Sequence, residues 1–180
     1  DCSKACGEMV ARSYHYVYGV KTAIIRMCNA YGPADLDSRL IPNTLRNCLA
    51  GKNPIVYDGI AYLREWIFVD DTVEALTLVM KNIEKANGES YNVGTGYRAT
   101  QADIVAEILK YFPHLRPDIR PPLPYMKKEI PHNLVSSEKF RKNLNWSPKM
   151  DFASGVKLTT EWWIDNSERL LQEKHASFTQ

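Results

Sequence analysis

The sequence predicts an α/β fold, because segments with strand character alternate with segments of helical periodicity along most of its 180 residues. The first strand, at 22–25, is a continuous apolar run, which is typical of a parallel sheet that is covered on both faces. The segment 29–33 (NAYGP) follows it and places polar groups where the strand ends. Ligands bind at that position in α/β enzymes, so the sequence predicts a binding site there.

We predict the remaining elements from apolar periodicity and from start and stop signals. Thr100 and Asp103 have the spacing of a capping box, which predicts that a helix begins there. The segment 113–131 is rich in proline and predicts loops around at most one short strand near Ile119. In chain order, we expect a helix at 3–18, a helix from Pro42 to Gly51, strands at 55–57 and 65–69, a helix from Asp70 to Ile83, a strand at 90–93, a helix after Thr100, a helix near 138–143 and a helix from about 152 to 171.

Charge and composition exclude several classes of partner. A formal net charge of only +2 does not predict a nucleic-acid-binding surface, although it is compatible with one basic pocket for a phosphate-bearing ligand. No apolar run reaches the roughly 20 residues that a membrane span needs, and no signal peptide is visible, so we expect a cytoplasmic protein with no membrane partner. The four cysteines, Cys2, Cys6, Cys28 and Cys48, lack the spacing of a metal site, and we expect reduced core residues and no metal.

Three candidate site residues have ordinary explanations when each is considered alone. Lys4, near the start of the first helix, would be a solvated surface lysine. Asn29 is a good turn residue, and Arg64 would be half-exposed and paired with a carboxylate such as Glu65. The segment 94–96 (GTG) lacks the third glycine of a dinucleotide-binding loop, so it predicts a plain strand-to-helix turn.

The order of the motifs is more informative than any one of them. Ser-Lys is followed by a helix, a strand, and then RMCNAYGP, RLIP, VYDG, REWIFVDD, YNVG and NWSP. Over residues 1–163 this order resembles the C-terminal half of the extended short-chain dehydrogenase/reductase family, the NAD-dependent nucleotide-sugar epimerases and dehydratases. Within that family, the runs 29–42 and 129–132 are most similar to CDP-glucose 4,6-dehydratases.

The resemblance implies the C-terminal part of a Rossmann-like fold, with its last parallel strands and helices, together with a small α/β substrate-binding subdomain. Residues 1–34 and 65–98 would be remnants of the NAD-binding Rossmann domain. Residues 35–64 and 99–173 would form the subdomain that binds a nucleotide diphosphate sugar. The resemblance also implies a homodimer in the intact enzyme, because the helix that carries Lys4 commonly packs against its twin in this family.

The catalytic motif of the family is Tyr-x-x-x-Lys, and the segment 1–4 (DCSK) resembles its last four positions. Lys4 would then be the motif lysine, which hydrogen-bonds the nicotinamide ribose of NAD and lowers the pKa of the tyrosine. Cys28 would lie against the nicotinamide amide through its backbone. The tyrosine, the glycine-rich NAD loop and the Asp-Glu pair of dehydratases would all precede Asp1. We therefore expect this polypeptide alone neither to turn over substrate nor to bind NAD tightly.

The resemblance also assigns residues to the nucleotide diphosphate sugar. Arg64 would clamp the pyrophosphate, because a guanidinium fork matches phosphate oxygens at two points. Glu65 stands where the family usually has Asp, and we expect little consequence. Many members have a second phosphate-binding arginine where this chain reads KKEIPH at 127–132, so either His132 or a lysine replaces that contact or the contact is absent. The other implied residues are Asn29 near the pyrophosphate, Arg39 and Leu40 along the nucleotide, Tyr57 against the base and Asn92 at the nucleotide end.

Two reactions share every motif in this chain. A 4,6-dehydratase would pass a hydride from sugar C4 to NAD and return it at C6 after eliminating water, whereas a 4-epimerase would return it to C4 from the opposite face. The sequence therefore predicts a substrate-binding part of a nucleotide-sugar 4,6-dehydratase, with a 4-epimerase as the alternative. A non-catalytic nucleotide-binding module and a scaffold fragment without a ligand also remain open.

Overall fold

A computed structural model describes residues 2–170, in which strands and helices alternate as the sequence predicts. The helices are α1 (Cys2–Tyr18), α2 (Leu40–Leu49), α3 (Val69–Lys81), α4 (Ile83–Ala86), α5 (Gln101–Leu109), α6 (Glu138–Leu144) and α7 (Phe152–Asp165). The strands are β1 (Ile24–Met27), β2 (Asn29–Tyr31), β3 (Ile55–Tyr57), β4 (Leu63–Phe68), β5 (Ser90–Val93), β6 (Arg98–Ala99), β7 (Asp118–Arg120) and β8 (His132–Asn133).

Parallel strand pairs dominate the described part of the chain. β1 pairs with β5, β2 with β4, and β3 with β7, all in parallel. β4 has further partners, since its N-terminal half pairs antiparallel with β6 and parallel with β8. Parallel pairing with intervening helices confirms the predicted α/β class.

β4 separates two buried clusters of apolar side chains. Trp66 and Phe68 belong to the cluster beneath α2, α5 and α7, while Ile67 belongs to the cluster formed with α3, β5 and α6. This division follows from the alternation of side chains along a strand. The predicted subdomain boundaries at 34, 64 and 98 stay a prediction.

The chain continues from β1 into a second strand, which the sequence analysis did not predict. We expected the segment 29–33 to follow the strand, with Asn29 as a turn residue, but Asn29 and Tyr31 both belong to β2, beside β4. The cause is the burial of Tyr31, which is only 3% exposed and packs edge-on against Phe68 at 5.7 Å between ring centroids. Its hydroxyl donates to the carbonyl oxygen of Phe152 at 3.3 Å, so the ring lies in the core.

α1 matches its predicted bounds, but its apolar face is not covered by the rest of the described chain. Met9, Val10 and Val17 are exposed, and no residue of this helix is buried. The prediction that all four cysteines lie in the core is therefore wrong for Cys2 and Cys6, which are exposed on α1. All four cysteines are free, with Cys48 buried and Cys28 half-buried.

Several local predictions are confirmed. Thr100 and Asp103 form both hydrogen bonds of a capping box at the start of α5. The proline-rich segment contains the expected short strand around Ile119, namely β7, and a 3-10 turn at Met126–Lys128. The predicted end of the last helix, Leu171, lies outside the described residues. Within residues 2–170, no helix is both long and apolar enough to cross a membrane.

We expect Gly155→Ala to lower the free energy of unfolding by about 1–3 kcal/mol, because adding a methyl group to a filled core has that cost. A Cβ atom there would overlap the hydroxyl of Tyr31 and would lie 3.0 Å from Cδ2 of Phe68. Gly7→Ala in α1 is the matched control, since no described atom lies within 4 Å of its Cβ position. This control should stabilise the protein by up to about 1 kcal/mol through helix propensity. Urea unfolding measures both variants, and a stabilised Gly155→Ala protein would contradict the packing.

Candidate functional site

A cleft runs between α2, β3, β4 and the end of β2, and it consists of three adjoining cavities. The first, of about 380 Å³, lies between α2 and β3, and the second, of about 210 Å³, lies over β4. The third, of about 230 Å³, lies at β2. Leu40 lines all three cavities, so its side chain is the common wall of the cleft.

The cleft brings together five of the residues that the sequence analysis singled out. Asn29 and Arg64 line the third cavity together. Arg64 also lines the second cavity, and Tyr57 and Arg39 line the first. An amide, two guanidinium groups, a phenol ring and an aliphatic wall therefore face one continuous space.

Asn29 owes its position to the parallel pairing of β2 with β4. Its side-chain nitrogen donates to the backbone oxygen of Glu65 at 3.0 Å. This hydrogen bond across the two strands holds the amide beside β4, at the start of β2 and two residues after the end of β1.

Arg64 enters the cleft from β4 with several hydrogen-bond partners. Its Nη1 donates to the backbone oxygens of Leu63 at 3.1 Å and Pro131 at 3.4 Å. Its Nη2 donates to Oε2 of Glu129 at 3.2 Å, and its guanidinium lies 5.7 Å from the centre of the Tyr62 ring. Arg64 is thus paired with a carboxylate, as expected, but the partner is Glu129 and not Glu65, since the adjacent residues 64 and 65 point to opposite sides of β4.

Glu65 is a buried carboxylate, only 1% exposed, and its role went unrecognised in the sequence. One oxygen accepts the N–H of Gly96 at 2.7 Å, and the other accepts the N–H of Val135 at 3.0 Å. The carboxylate thus ties the turn after β5 and the segment after β8 to the strand that carries Arg64. An acidic residue inside an aromatic strand was the available signal, because a buried charge needs hydrogen-bond partners.

Gln101 is a second residue that sequence reasoning missed. Its Oε1 accepts the backbone N–H of Tyr57 at 3.3 Å, and its Nε2 donates to the backbone oxygen of Ile55 at 3.1 Å. The side chain therefore supplies hydrogen-bond partners to the backbone edge of β3 that faces the first cavity, as a neighbouring strand would. Nothing in the local sequence indicates this bond, which joins residues more than forty positions apart.

The polar wall of the first cavity includes a second cation. Arg46, which the sequence analysis did not select, lines this cavity beside Arg39. Arg39 forms an ion pair with Asp37 at 2.9 Å. The backbone N–H of Ser38 and the guanidinium of Arg39 lower the pKa of the Asp37 carboxyl. Two guanidinium groups make this end of the cleft suitable for an anionic or strongly polar ligand.

Four predicted site residues lie outside the three cavities of the cleft. Lys4 lines a separate cavity of about 590 Å³ with Glu8 and Arg26. Cys28 lies between β1 and β2. Asn92 lies on β5, opposite Arg26, and His132 lies on β8, opposite Leu63. These four positions stay predictions.

The thiol of Cys28 is held in its protonated form. Burial, followed by the charge of Glu65, raises the pKa of Cys28 to about 12. Burial also raises the pKa of Cys48 to about 11. At neutral pH neither sulfur is a nucleophile. No three His, Cys, Asp or Glu side chains in the described residues are grouped closely enough to hold a metal ion.

The chain is similar to known proteins over most of its length. A family model described as "NAD dependent epimerase/dehydratase family" matches residues 1–94. The dTDP-glucose 4,6-dehydratase of Neisseria gonorrhoeae is 30% identical over an alignment of 180 residues. The alignment covers 94% of this chain and 51% of that protein. The chain thus spans about half the length of the curated relatives it matches.

Two solved structures show the same fold. The dTDP-glucose 4,6-dehydratase of Bacillus anthracis, in complex with NAD, superposes with a TM-score of 0.81 and 26% identity, over 93% of this chain and 52% of that one. The UDP-glucose 4-epimerase of Thermotoga maritima, with UDP-glucose, also has a TM-score of 0.81 and 26% identity, over 92% of this chain and 53% of that one. These likenesses confirm the predicted Rossmann-like fold, and the family description confirms the predicted cofactor, NAD.

We expect Glu65→Gln to lower the free energy of unfolding by about 1–3 kcal/mol, because the new amide N–H₂ faces a backbone donor that then lacks an acceptor. Glu138→Gln is the control, since it removes the same charge from an exposed position on α6 and should change stability far less. Urea unfolding of the three proteins measures the difference. Equal stabilities would show that the buried carboxylate does not hold the segments together.

We expect a thiol reagent at pH 8 to modify Cys2 and Cys6 quickly and the other two cysteines slowly. Their raised pKa values leave Cys48 with a thiolate fraction roughly a few hundredfold below that of an ordinary cysteine, and Cys28 with one roughly a few thousandfold below it. Mass spectrometry of timed samples assigns the modified sites, and all four should react at similar rates in denaturant. Rapid modification of Cys28 in the folded protein would contradict its burial.

Proposed function

The chain belongs to the NAD dependent epimerase/dehydratase family, and from this premise we propose that its cleft binds the nucleotide diphosphate sugar of an NAD-dependent 4,6-dehydratase. The observation that carries the proposal is that Asn29 and Arg64 line one cavity although they lie on different strands. A guanidinium and an amide that face a common space can bind the oxygens of a diphosphate together.

The proposed ligand extends along the cleft from the third cavity to the first. Arg64 would bind the diphosphate, with Asn29 on its other side. Leu40 would then contact the middle of the nucleotide, and the base would lie near Tyr57. This arrangement is supported by the order of the cavities, since the aliphatic wall lies between the two cationic ends.

The residues proposed for NAD fit the nicotinamide end of that cofactor. Lys4 is an exposed cation on α1, and Cys28 follows β1 at the carboxyl edge of the parallel β1–β5 pair. Ligands bind at this edge in α/β proteins. We propose that Lys4 donates a hydrogen bond to the ribose and that Cys28 contacts the amide through its backbone, since its thiol stays protonated. When bound, the cofactor supplies a hydride acceptor.

The choice of a dehydratase over a 4-epimerase is supported by the curated relatives described above, which are named dTDP-glucose 4,6-dehydratases. The similarity to the UDP-glucose 4-epimerase fold keeps the epimerase as the second candidate. The base of the nucleotide is a separate proposal. The resemblance of 29–42 favours CDP-glucose, whereas the names of the relatives favour dTDP-glucose, so titration with CDP and dTDP distinguishes the two.

The homodimer is also a proposal for the intact enzyme, and the surface of α1 supports it. Met9 is 66% exposed and Val17 is 69% exposed, and both project from a helix that has no buried residue. Apolar side chains grouped on one exposed helix indicate a protein–protein contact.

We expect Arg64→Ala to weaken the binding of a nucleoside diphosphate by about 1.5–3 kcal/mol, which is typical for the loss of charge-assisted hydrogen bonds. Isothermal titration calorimetry with CDP, dTDP, UDP and GDP measures the effect. Arg116→Ala is the control, since this arginine bonds to backbone oxygens outside the cleft and should leave affinity unchanged. Unchanged affinity in Arg64→Ala would refute the proposed site, as would a wild-type protein that binds none of the four.

A further inference from the structure

The segment 126–131 crosses the second cavity and carries a carboxylate to Arg64. Both Met126 and Glu129 line that cavity. The segment, which we call the strap, is hydrogen-bonded at one end to Tyr62, just before β4, and at the other end to Leu63, the first residue of β4. The hydroxyl of Tyr62 donates to the carbonyl oxygen of Met126 at 2.7 Å, and the N–H of Leu63 donates to that of Pro131 at 2.9 Å.

We propose that Glu129 is a specificity-determining residue, an internal anion that occupies Arg64 until the diphosphate of a ligand displaces it. The inference rests on the proposed function, because it assumes that Arg64 binds the diphosphate. It assigns to the strap a role in selecting ligands by charge.

Glu129 offers Arg64 the same kind of anionic oxygen acceptor as the proposed ligand. Glu129 Oε2 lies 3.2 Å from Arg64 Nη2, and a carboxylate oxygen resembles a phosphate oxygen as an anionic acceptor. The remaining terminal nitrogen already donates to two backbone oxygens. A ligand phosphate that binds Nη2 therefore competes with the charge of Glu129 at the same nitrogen.

The exposure of the pair makes displacement possible. The Glu129 side chain is 47% exposed and the Arg64 side chain is 23% exposed. When the ion pair separates, water can therefore replace much of the hydrogen bonding that each charged group gives up. A diphosphate carries more negative charge than a carboxylate and can bind a guanidinium at two points. A neutral sugar has neither advantage, so we expect the pair to exclude it.

The size of the second cavity agrees with this interpretation. Its volume of about 210 Å³ is below the roughly 300–1,000 Å³ of typical ligand sites. Glu129 and Met126 form part of its wall, so withdrawal of the carboxylate would enlarge the space beside Arg64.

The test is the affinity of a Glu129→Gln variant for CDP and dTDP, measured by calorimetry. We expect binding about three- to tenfold tighter than in the wild type, because the variant removes a competing charge but keeps the shape of the side chain. Glu138→Gln makes the same change in net charge outside the cleft and should change affinity less than twofold. Unchanged binding by Glu129→Gln would overturn the proposal. Weaker binding would also overturn it, because it would show that the carboxylate helps to bind the ligand.

Two further variants distinguish this inference from the function on which it rests. If Arg64→Ala weakens binding while Glu129→Gln has no effect, the diphosphate site stands and the role of Glu129 is wrong. If Arg64→Ala has no effect, the proposed function itself fails. In the Arg64→Lys background, the gain from Glu129→Gln should persist, because lysine keeps the charge for which the carboxylate competes.

Discussion

The cleft depends on the carboxylate of Glu65, which is buried inside β4 and bonded to the backbone on both sides. Its oxygens hold Gly96 and Val135, so the turn after β5 and the segment after β8 are fixed relative to one strand. Without such bonds a buried carboxylate would cost several kcal/mol, which makes the arrangement specific as well as stabilising. Arg64 precedes it directly, and therefore its guanidinium leaves the strand on the opposite side, toward the cleft.

Strand β4 combines structural and binding roles through the same alternation. Trp66 and Phe68 pack in the core cluster beneath α7, Ile67 packs in the other cluster, and Arg64 lines the cleft. A shift of register by one residue would exchange these environments and place the arginine in the core. The position of the candidate binding group is thus determined by the same apolar contacts that stabilise the fold.

The polar side chains of the cleft are matched to partners from distant segments. Gln101 satisfies the edge of β3, and Glu129 reaches Arg64 from the strap. Through these interactions, the backbone edge of β3 and the guanidinium of Arg64 both have hydrogen-bond partners within the chain. The proposed ligand would therefore exchange the hydrogen bond between Arg64 and Glu129 for one of its own.

Local patterns along the chain were enough to predict the α/β class, most element positions, the capping box at Thr100 and the family resemblance that selected Asn29 and Arg64. Each of these follows from local periodicity, a local hydrogen bond or a motif read in order. The folded chain was needed to show that Tyr31 lies in a strand, that the Glu65 carboxylate holds two distant segments, and that Glu129 rather than Glu65 pairs with Arg64. These contacts join residues tens of positions apart, and such residues meet only through strand pairing and burial along the whole chain.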